Sequence, residues 1–222
     1  MFHIALDGPS GAGKSTVAKE LAGRLNIIYV DTGALYRTVG YYVFCNGISK
    51  DDRESVISAL DNIKIEMVYE NGVQKVYLNG EDLGDKIRLP EISMYASAVS
   101  AIPEVRRFLL DTQRDIARVN SVIMDGRDIG TVILPDAEVK IFLTASLETR
   151  AARRYDELLS KGKSVTFEDV YNDMALRDRN DSSRAEAPAI PADDAIILDN
   201  SDLDFEQSIQ AILAIVNEKI RH

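Results

Sequence analysis

Nine residues near the start of the chain, Gly8-Pro9-Ser10-Gly11-Ala12-Gly13-Lys14-Ser15-Thr16, constrain its fold more than any other stretch. A glycine, four free positions and Gly-Lys-Ser make up the phosphate-binding loop pattern. Three glycines let the backbone turn with positive φ and approach a ligand without Cβ clashes. Successive N–H groups then form a nest for phosphate oxygens, and a helix opening near Lys14 adds the positive end of its dipole. In such a loop the lysine, here Lys14, reaches the β- and γ-phosphates, and the hydroxyl of Ser15 sits on Mg²⁺. An accidental glycine-rich turn would lack the right surroundings. Here Phe2-His3-Ile4-Ala5-Leu6 reads as a short strand, and Val17, Leu21 and Leu25 follow at helical spacing. Strand, loop and helix together predict an α/β fold that holds a nucleoside triphosphate.

Further strand–loop–helix units repeat that alternation. Ile27-Ile28-Tyr29-Val30 reads as a second buried strand running into Asp31-Thr32-Gly33-Ala34-Leu35-Tyr36-Arg37. Ligands of open α/β sheets gather at strand carboxyl ends, which makes Asp31, Thr32 and Arg37 site candidates; an ordinary helix N-cap is the other reading of Asp31 or Thr32. Ser121-Val122-Ile123-Met124-Asp125 is a third strand, and its terminal Asp125 suits a place near Mg²⁺ or its waters. Gly126-Arg127-Asp128-Ile129-Gly130-Thr131 follows as a loop with glycines framing Arg127-Asp128. Residues 139–143 and 195–199 supply the fourth and fifth strands. Helices are expected from Ser146 to just before Gly162, after a Thr166 capping box, and from about Asp204, where Ile209, Ile212, Leu213, Val216 and Ile220 make one stripe.

Between residues 63 and 83 the texture changes to alternating apolar and polar positions broken by Asn71-Gly72 and Asn79-Gly80. Two Asn-Gly turns between such segments predict a small antiparallel meander inserted into the parallel protein. Residues 90–118 read as helical, with Pro103 suited to a helix's first turn and Val105, Phe108, Leu109, Thr112 and Ile116 on one face. Arg106 and Arg107 come early in that helix, at the end its dipole disfavours for cations. Residues 177–184, Arg-Asp-Arg-Asn-Asp-Ser-Ser-Arg, carry both charges densely, as a solvated helix end would. Beside a phosphate loop and after Arg150, Arg153 and Arg154, they also fit a segment that closes over phosphates, excluding water and stabilising moving charge.

Charge narrows the partners. Acidic residues outnumber basic ones 36 to 26, a formal net charge of −10, which argues against broad nucleic-acid binding and leaves room for a small anion held by local arginines. Cys45 is the only cysteine, so no internal disulfide forms and a reducing compartment is expected. No apolar run reaches membrane-span length. No signal peptide precedes the first strand, and the expectation is a cytoplasmic protein.

Taken together, the phosphate loop, Asp31-Thr32-Gly33 with Tyr36-Arg37, the loop at 126–131 and the segment 177–188 resemble the bacterial cytidylate kinases. The match is collinear, runs nearly end to end, and includes the small β insert. Thr32 stands where many members have serine, which keeps the hydroxyl. The resemblance implies a P-loop kinase fold, with a parallel five-stranded sheet wrapped by helices, a core of residues 1–62 and 121–222, an acceptor-binding insert of about 63–120 and a lid of about 150–184. It implies transfer of phosphate from ATP, with Mg²⁺, to CMP or dCMP, by a protein usually acting as a monomer. Carried over by position, Arg37 and Arg127 would hold the CMP phosphate, and Thr32, Arg106, Asp128 and Arg184 would surround the cytosine. Ser97, Arg177 and Asp181 would face the pentose. Lys14, Arg127, Asp128 and Arg184 would act in catalysis, with Ser15 and Asp125 at the metal. The nearest rivals are a kinase for another small acceptor, such as a different nucleoside monophosphate or shikimate, and a nucleotide-hydrolysing switch. A guanine-reading Asn-Lys-x-Asp, expected of a GTPase switch, is not in the sequence.

Overall fold

The computed structural model describes residues 1–70 and 73–220. They fall into two compact units, Met1–Tyr29 with Ser121–His222, and Val30–Asn120. The predicted turn at Asn71-Gly72 and the last histidine, His222, lie outside the described residues.

The larger sheet has five strands. Its strands are β1 (His3–Asp7), β2 (Ile28–Asp31), β6 (Val122–Gly126), β7 (Val139–Thr144) and β8 (Ile196–Asp199), in the spatial order β2-β6-β1-β7-β8. β1 runs parallel to both β6 and β7, and β7 runs parallel to β8. Ile4, Ala5 and Leu6 are wholly buried, as a central strand covered on both faces demands. The first unit carries the α-helices α1 (Lys14–Leu25), α6 (Leu147–Ser160), α7 (Phe167–Ser182) and α8 (Phe205–Ile220) among its described residues. Val17 and Leu21 of α1 pack with Ile209, Ile212 and Val216 of α8 and with Ile123, Ile141 and Leu143 of the sheet. Each such side chain contributes about 1.5–3 kcal/mol when fully buried.

The helix ends follow their local chemistry. Asn26 ends α1 at φ 51°, and Ser146 and Thr166 cap α6 and α7 by accepting from Thr149 N and Asp169 N. At α8, Asp204 and Gln207 satisfy each other's backbone N–H reciprocally. The stripe on α8 ends earlier than its periodicity suggests, because Ile220 in the last turn is 42% exposed.

The second unit holds α2 (Thr32–Cys45), α3 (Arg53–Ala59), α4 (Pro90–Val99), α5 (Pro103–Val119) and an antiparallel sheet of β3 (Ile65–Glu70), β4 (Val73–Leu78) and β5 (Glu81–Asp82). The meander is therefore present. Its Asn79-Gly80 turn has φ of 51° and 86°, the pair of positive values that a two-residue hairpin turn matching strand twist requires. The sheet buries Val76 and Leu78 against Leu35, Val39, Val43, Val105 and Leu109. Residues 90–118 are helical, as two helices, and Pro103 opens the second of them, α5, in the first turn that suits a proline. The buried line of α5 is Val105, Leu109, Gln113 and Ala117, a strict four-residue spacing. The Gln113 amide nitrogen donates to Leu109 O at 3.0 Å, while its Oε1 is buried with no donor among the described residues. Among the described residues no helix is long and apolar enough to cross a membrane.

Candidate active site

The phosphate loop follows β1, the central strand of the first unit. Gly8 has φ 145°, and a Cβ there would lie 1.9 Å from the Leu143 carbonyl oxygen, so no other residue fits between the neighbouring strands. Among the described residues no side chain caps α1, leaving its first N–H groups for an anion. The outer carbonyls of the loop are held in place: Arg150 Nη1 donates to Ser10 O at 3.0 Å and Asn200 Nδ2 donates to Ala12 O at 3.1 Å. Arg150 is buried, bonds Ala145 O as well, and pairs with Asp178 of α7 at 2.6 Å. Arg153 in turn fixes Asn200 through two hydrogen bonds. Of the three arginines on α6, only Arg154 is spent on a surface pair, with Glu157.

Lys14 folds back over its own loop, with Nζ donating to Pro9 O at 2.7 Å and only 6% of its surface exposed. Burial, followed by the charge of Arg127, pushes its ammonium well below the ordinary lysine range, against the opposing pull of Asp125 and Asp7. The negative charge of phosphate oxygens at this place would offset both effects. Ser15 Oγ donates to Asp125 Oδ2 at 2.7 Å, and Tyr29 Oη donates to Asp125 Oδ1 at 2.9 Å. Asp125 is thus oriented by two hydroxyls at the end of β6.

The stretch after β6, read from the sequence as a loop, contains a helical turn. Ile129–Ile133 form one wide helical turn, with Ile133 N bonding Asp128 O and Leu134 N bonding Ile129 O, five residues back. Its N-terminal end is capped from 122 residues away. Asp7, the last residue of β1, accepts from Ile129 N at 2.8 Å and Gly130 N at 2.7 Å. Sequence reasoning missed Asp7, since the apolar run stops at Leu6. The available signal was its likeness to Asp125: both are carboxylates closing buried strands. Burial dominates and raises the Asp7 pKa to about 6, while the two N–H bonds pull it down and Asp128 pushes it up.

That value carries a sign. Folded Asp7 holds its proton to about pH 6 and an unfolded aspartate only to about 3.8, so its ionisation opposes folding near neutrality. The stabilisation is fully present below pH 3.8 and is lost as pH rises through 6. Asp7→Asn does not titrate. The unfolding free energy of wild type relative to Asp7→Asn, from denaturation at each pH, should therefore rise as pH falls from 7 to 5, by at most about 1.4 kcal/mol per pH unit. A difference that is flat over this range contradicts the assignment.

Asp181, near the end of α7 and 4% exposed, accepts from Arg127 Nε at 3.0 Å and pairs with Arg184 through its other oxygen. One buried carboxylate thus holds two of the expected site arginines. Arg177 Nη1 lies 3.5 Å from Ser10 Oγ, beside the phosphate loop. Asp128 is buried at the head of the wide turn. In the first unit, then, residues 8–16 gather with Asp125, Arg127 and Arg177, and Asp181 joins Arg127 to Arg184.

The second unit brings together its own set. Asp31 is both an N-cap and an ion-pair partner. Its Oδ1 accepts from Ala34 N at 3.0 Å, and its Oδ2 accepts from Arg37 Nη2 at 2.6 Å. Arg37 Nε is buried with no acceptor among the described residues, a donor of the kind that an anion satisfies. Thr32 is buried at the first position of α2. Arg106 lies over the Tyr36 ring at 5.4 Å and donates to Ser100 O at 3.0 Å, so stacking and a carbonyl fix a guanidinium at the disfavoured end of α5. Ser97, half-buried on α4, receives the Ser100 hydroxyl on its carbonyl.

Comparison with known proteins bears on the family. The family model for cytidylate kinase matches residues 4–218. A cytidylate kinase of Thermosipho melanesiensis is 50% identical over 219 residues, covering 99% of this chain and 98% of that protein. One from Caldicellulosiruptor bescii is 47% identical over 221 residues, covering 100% and 98%, and one from Flavobacterium johnsoniae is 45% identical over 223 residues, covering 98% and 97%. Among solved structures, a shikimate kinase from Bacteroides thetaiotaomicron aligns over 97% of this chain and 98% of its own with a TM-score of 0.50. At 12% identity that likeness speaks for the P-loop kinase fold alone. With an intact phosphate loop and near-half identity along its whole length, the chain belongs to the cytidylate kinase family.

Proposed function

We propose that this enzyme transfers the γ-phosphate of ATP to CMP or dCMP, giving ADP and CDP or dCDP. The observation that carries the reading is the end-to-end match to cytidylate kinases, whose identity of up to 50% spans the chain. A monophosphate acceptor brings its own nucleophile, an ionised phosphate oxygen, so alignment and charge neutralisation supply most of the catalysis. This suits a chain with two histidines, of which His3 lies at the surface beside Glu138.

Lys14 and the N–H groups of residues 8–16 are the groups for the donor phosphates. Arg37, with its unspent Nε, and Arg127 are the cations for the acceptor phosphate. Thr32, Arg106, Asp128 and Arg184 are assigned to the base, and Ser97, Arg177 and Asp181 to the pentose. Asp181 also has a second task in holding Arg127 and Arg184. Ser15 and Asp125 offer a hydroxyl and a carboxylate already in contact, an all-oxygen donor set that fits a hard cation keeping most of its waters. Mg²⁺ bound there would neutralise charge on the donor phosphates. Residues 150–184 serve as the lid in this reading.

A coupled ADP-release assay with ATP and each common nucleoside monophosphate, and with shikimate, tests the proposal. CMP and dCMP should support turnover far above the rest. Amide exchange with both nucleotides bound should slow over 150–184. Preference for another acceptor overturns the substrate assignment, and unchanged exchange overturns the lid.

A further inference from the structure

The small β insert has a direct line to Arg37. Gln74 on β4 stands opposite Tyr69 on β3, so their side chains share one face of the sheet. Along that face follow the pairs Met67 with Val76 and Ile65 with Leu78, all in the apolar core of the second unit. At the Gln74 end the face turns polar, and what it meets is the backbone of Asp31. The Gln74 carboxamide oxygen accepts from Asp31 N at 2.8 Å, and its Nε2 donates to Asp31 O at 3.2 Å. A side-chain amide thereby imitates the pair of bonds that a neighbouring antiparallel strand would make. Tyr69 lies close by, and its phenol is pushed upward by burial first and by the Asp31 charge second.

Asp31 has no freedom left. Its backbone is clamped by Gln74, one carboxylate oxygen caps α2, and the other holds Arg37. We infer that Gln74 is a positioning residue for Arg37, acting through Asp31, and that the insert thereby sets the affinity for the acceptor phosphate. The inference rests on the proposed role of Arg37. Without the clamp, the peptide of Asp31 can rotate, and the carboxylate that aims the guanidinium rotates with it. A misplacement of about 1 Å in a binding cation is enough to weaken a site by 10-fold or more.

The test is a double-mutant cycle read as KM for CMP, KM for ATP and melting temperature. Gln74→Met keeps length and loses both hydrogen bonds. Gln74→Glu keeps the acceptor for Asp31 N but sets a carboxylate against Asp31 O. Gln74→Met should raise KM for CMP about 10-fold, and Gln74→Glu at least as much, while KM for ATP stays within about twofold. In an Arg37→Met background, Gln74→Met should add less than about twofold, because its effect passes through the missing guanidinium. A purely structural role would lower the melting temperature without separating the two KM values. Wild-type KM for CMP in both Gln74 variants, or an equal effect of Gln74→Met in the two backgrounds, overturns the inference while leaving Arg37 as assigned. Wild-type KM for CMP in Arg37→Met alone removes the assignment of Arg37, and the inference falls with it.

Discussion

Lys14→Ala should lower kcat for CMP phosphorylation by on the order of 10³ or more in a steady-state coupled assay. The ammonium is buried with Nζ on Pro9 O, and burial, followed by the charge of Arg127, makes its cationic state costly until phosphates arrive. Interaction energy of that kind is released as negative charge builds on the transferred group, so the loss falls mainly on kcat and less on KM for ATP. The fold should survive, since the variant removes a buried charge and a short apolar stem. Lys14→Met, which keeps the stem, should lose activity equally. Turnover close to wild type in either variant would remove the phosphate loop from the mechanism.

Much of this architecture is legible in the sequence because its signals are local. A phosphate loop between an apolar strand and an amphipathic helix specifies its own geometry. The capping residues Ser146, Thr166 and Asp204 act within three positions, and Asn79-Gly80 determines its hairpin without help. What escaped depends on partners distant in the chain or on too little periodicity. Asp7 becomes a helix-turn cap only when β1 and β6 lie side by side, which brings it to Ile129 and Gly130. Gln74 reads as a polar strand residue until its sheet meets Asp31. The short α3 buries just Val56 and Ala59, too few positions to show a period.

Charge was the least transparent property. In the sequence, Arg150 is one of three arginines on a helix before the charged segment, and Asp181 lies in a dense mixture of signs. In the structure Arg150 is a buried strut under the phosphate loop, and Asp181 is the shared counter-ion of Arg127 and Arg184. Burial, which decides between these roles, depends on the packing of α6 against α7 and the sheet. No pattern of charges along one helix encodes it.

The identity of the base should rest on Asp128 to a degree that kinetics can resolve. CMP and UMP differ where cytosine carries an N4 amino donor and uracil an O4 acceptor, and their N3 atoms are reversed likewise. A carboxylate accepts and does not donate when ionised, so an ionised Asp128 facing the base would match cytosine and oppose uracil. It is 4% exposed at the head of a turn whose next two N–H groups are fixed by Asp7. That turn cannot readily swing the carboxylate away from the wrong base. In a dry site an unpaired or repelled polar group costs roughly 1–3 kcal/mol, more if charged. Wild-type enzyme should therefore prefer CMP over UMP by on the order of 10² or more in kcat/KM. Asp128→Ala should lower kcat/KM for CMP by a similar factor and for UMP far less, with KM for ATP little changed. If Asp128 serves only to brace its loop, both pyrimidines lose activity in proportion. An unchanged CMP-to-UMP ratio in Asp128→Ala would then assign base selection to other side chains.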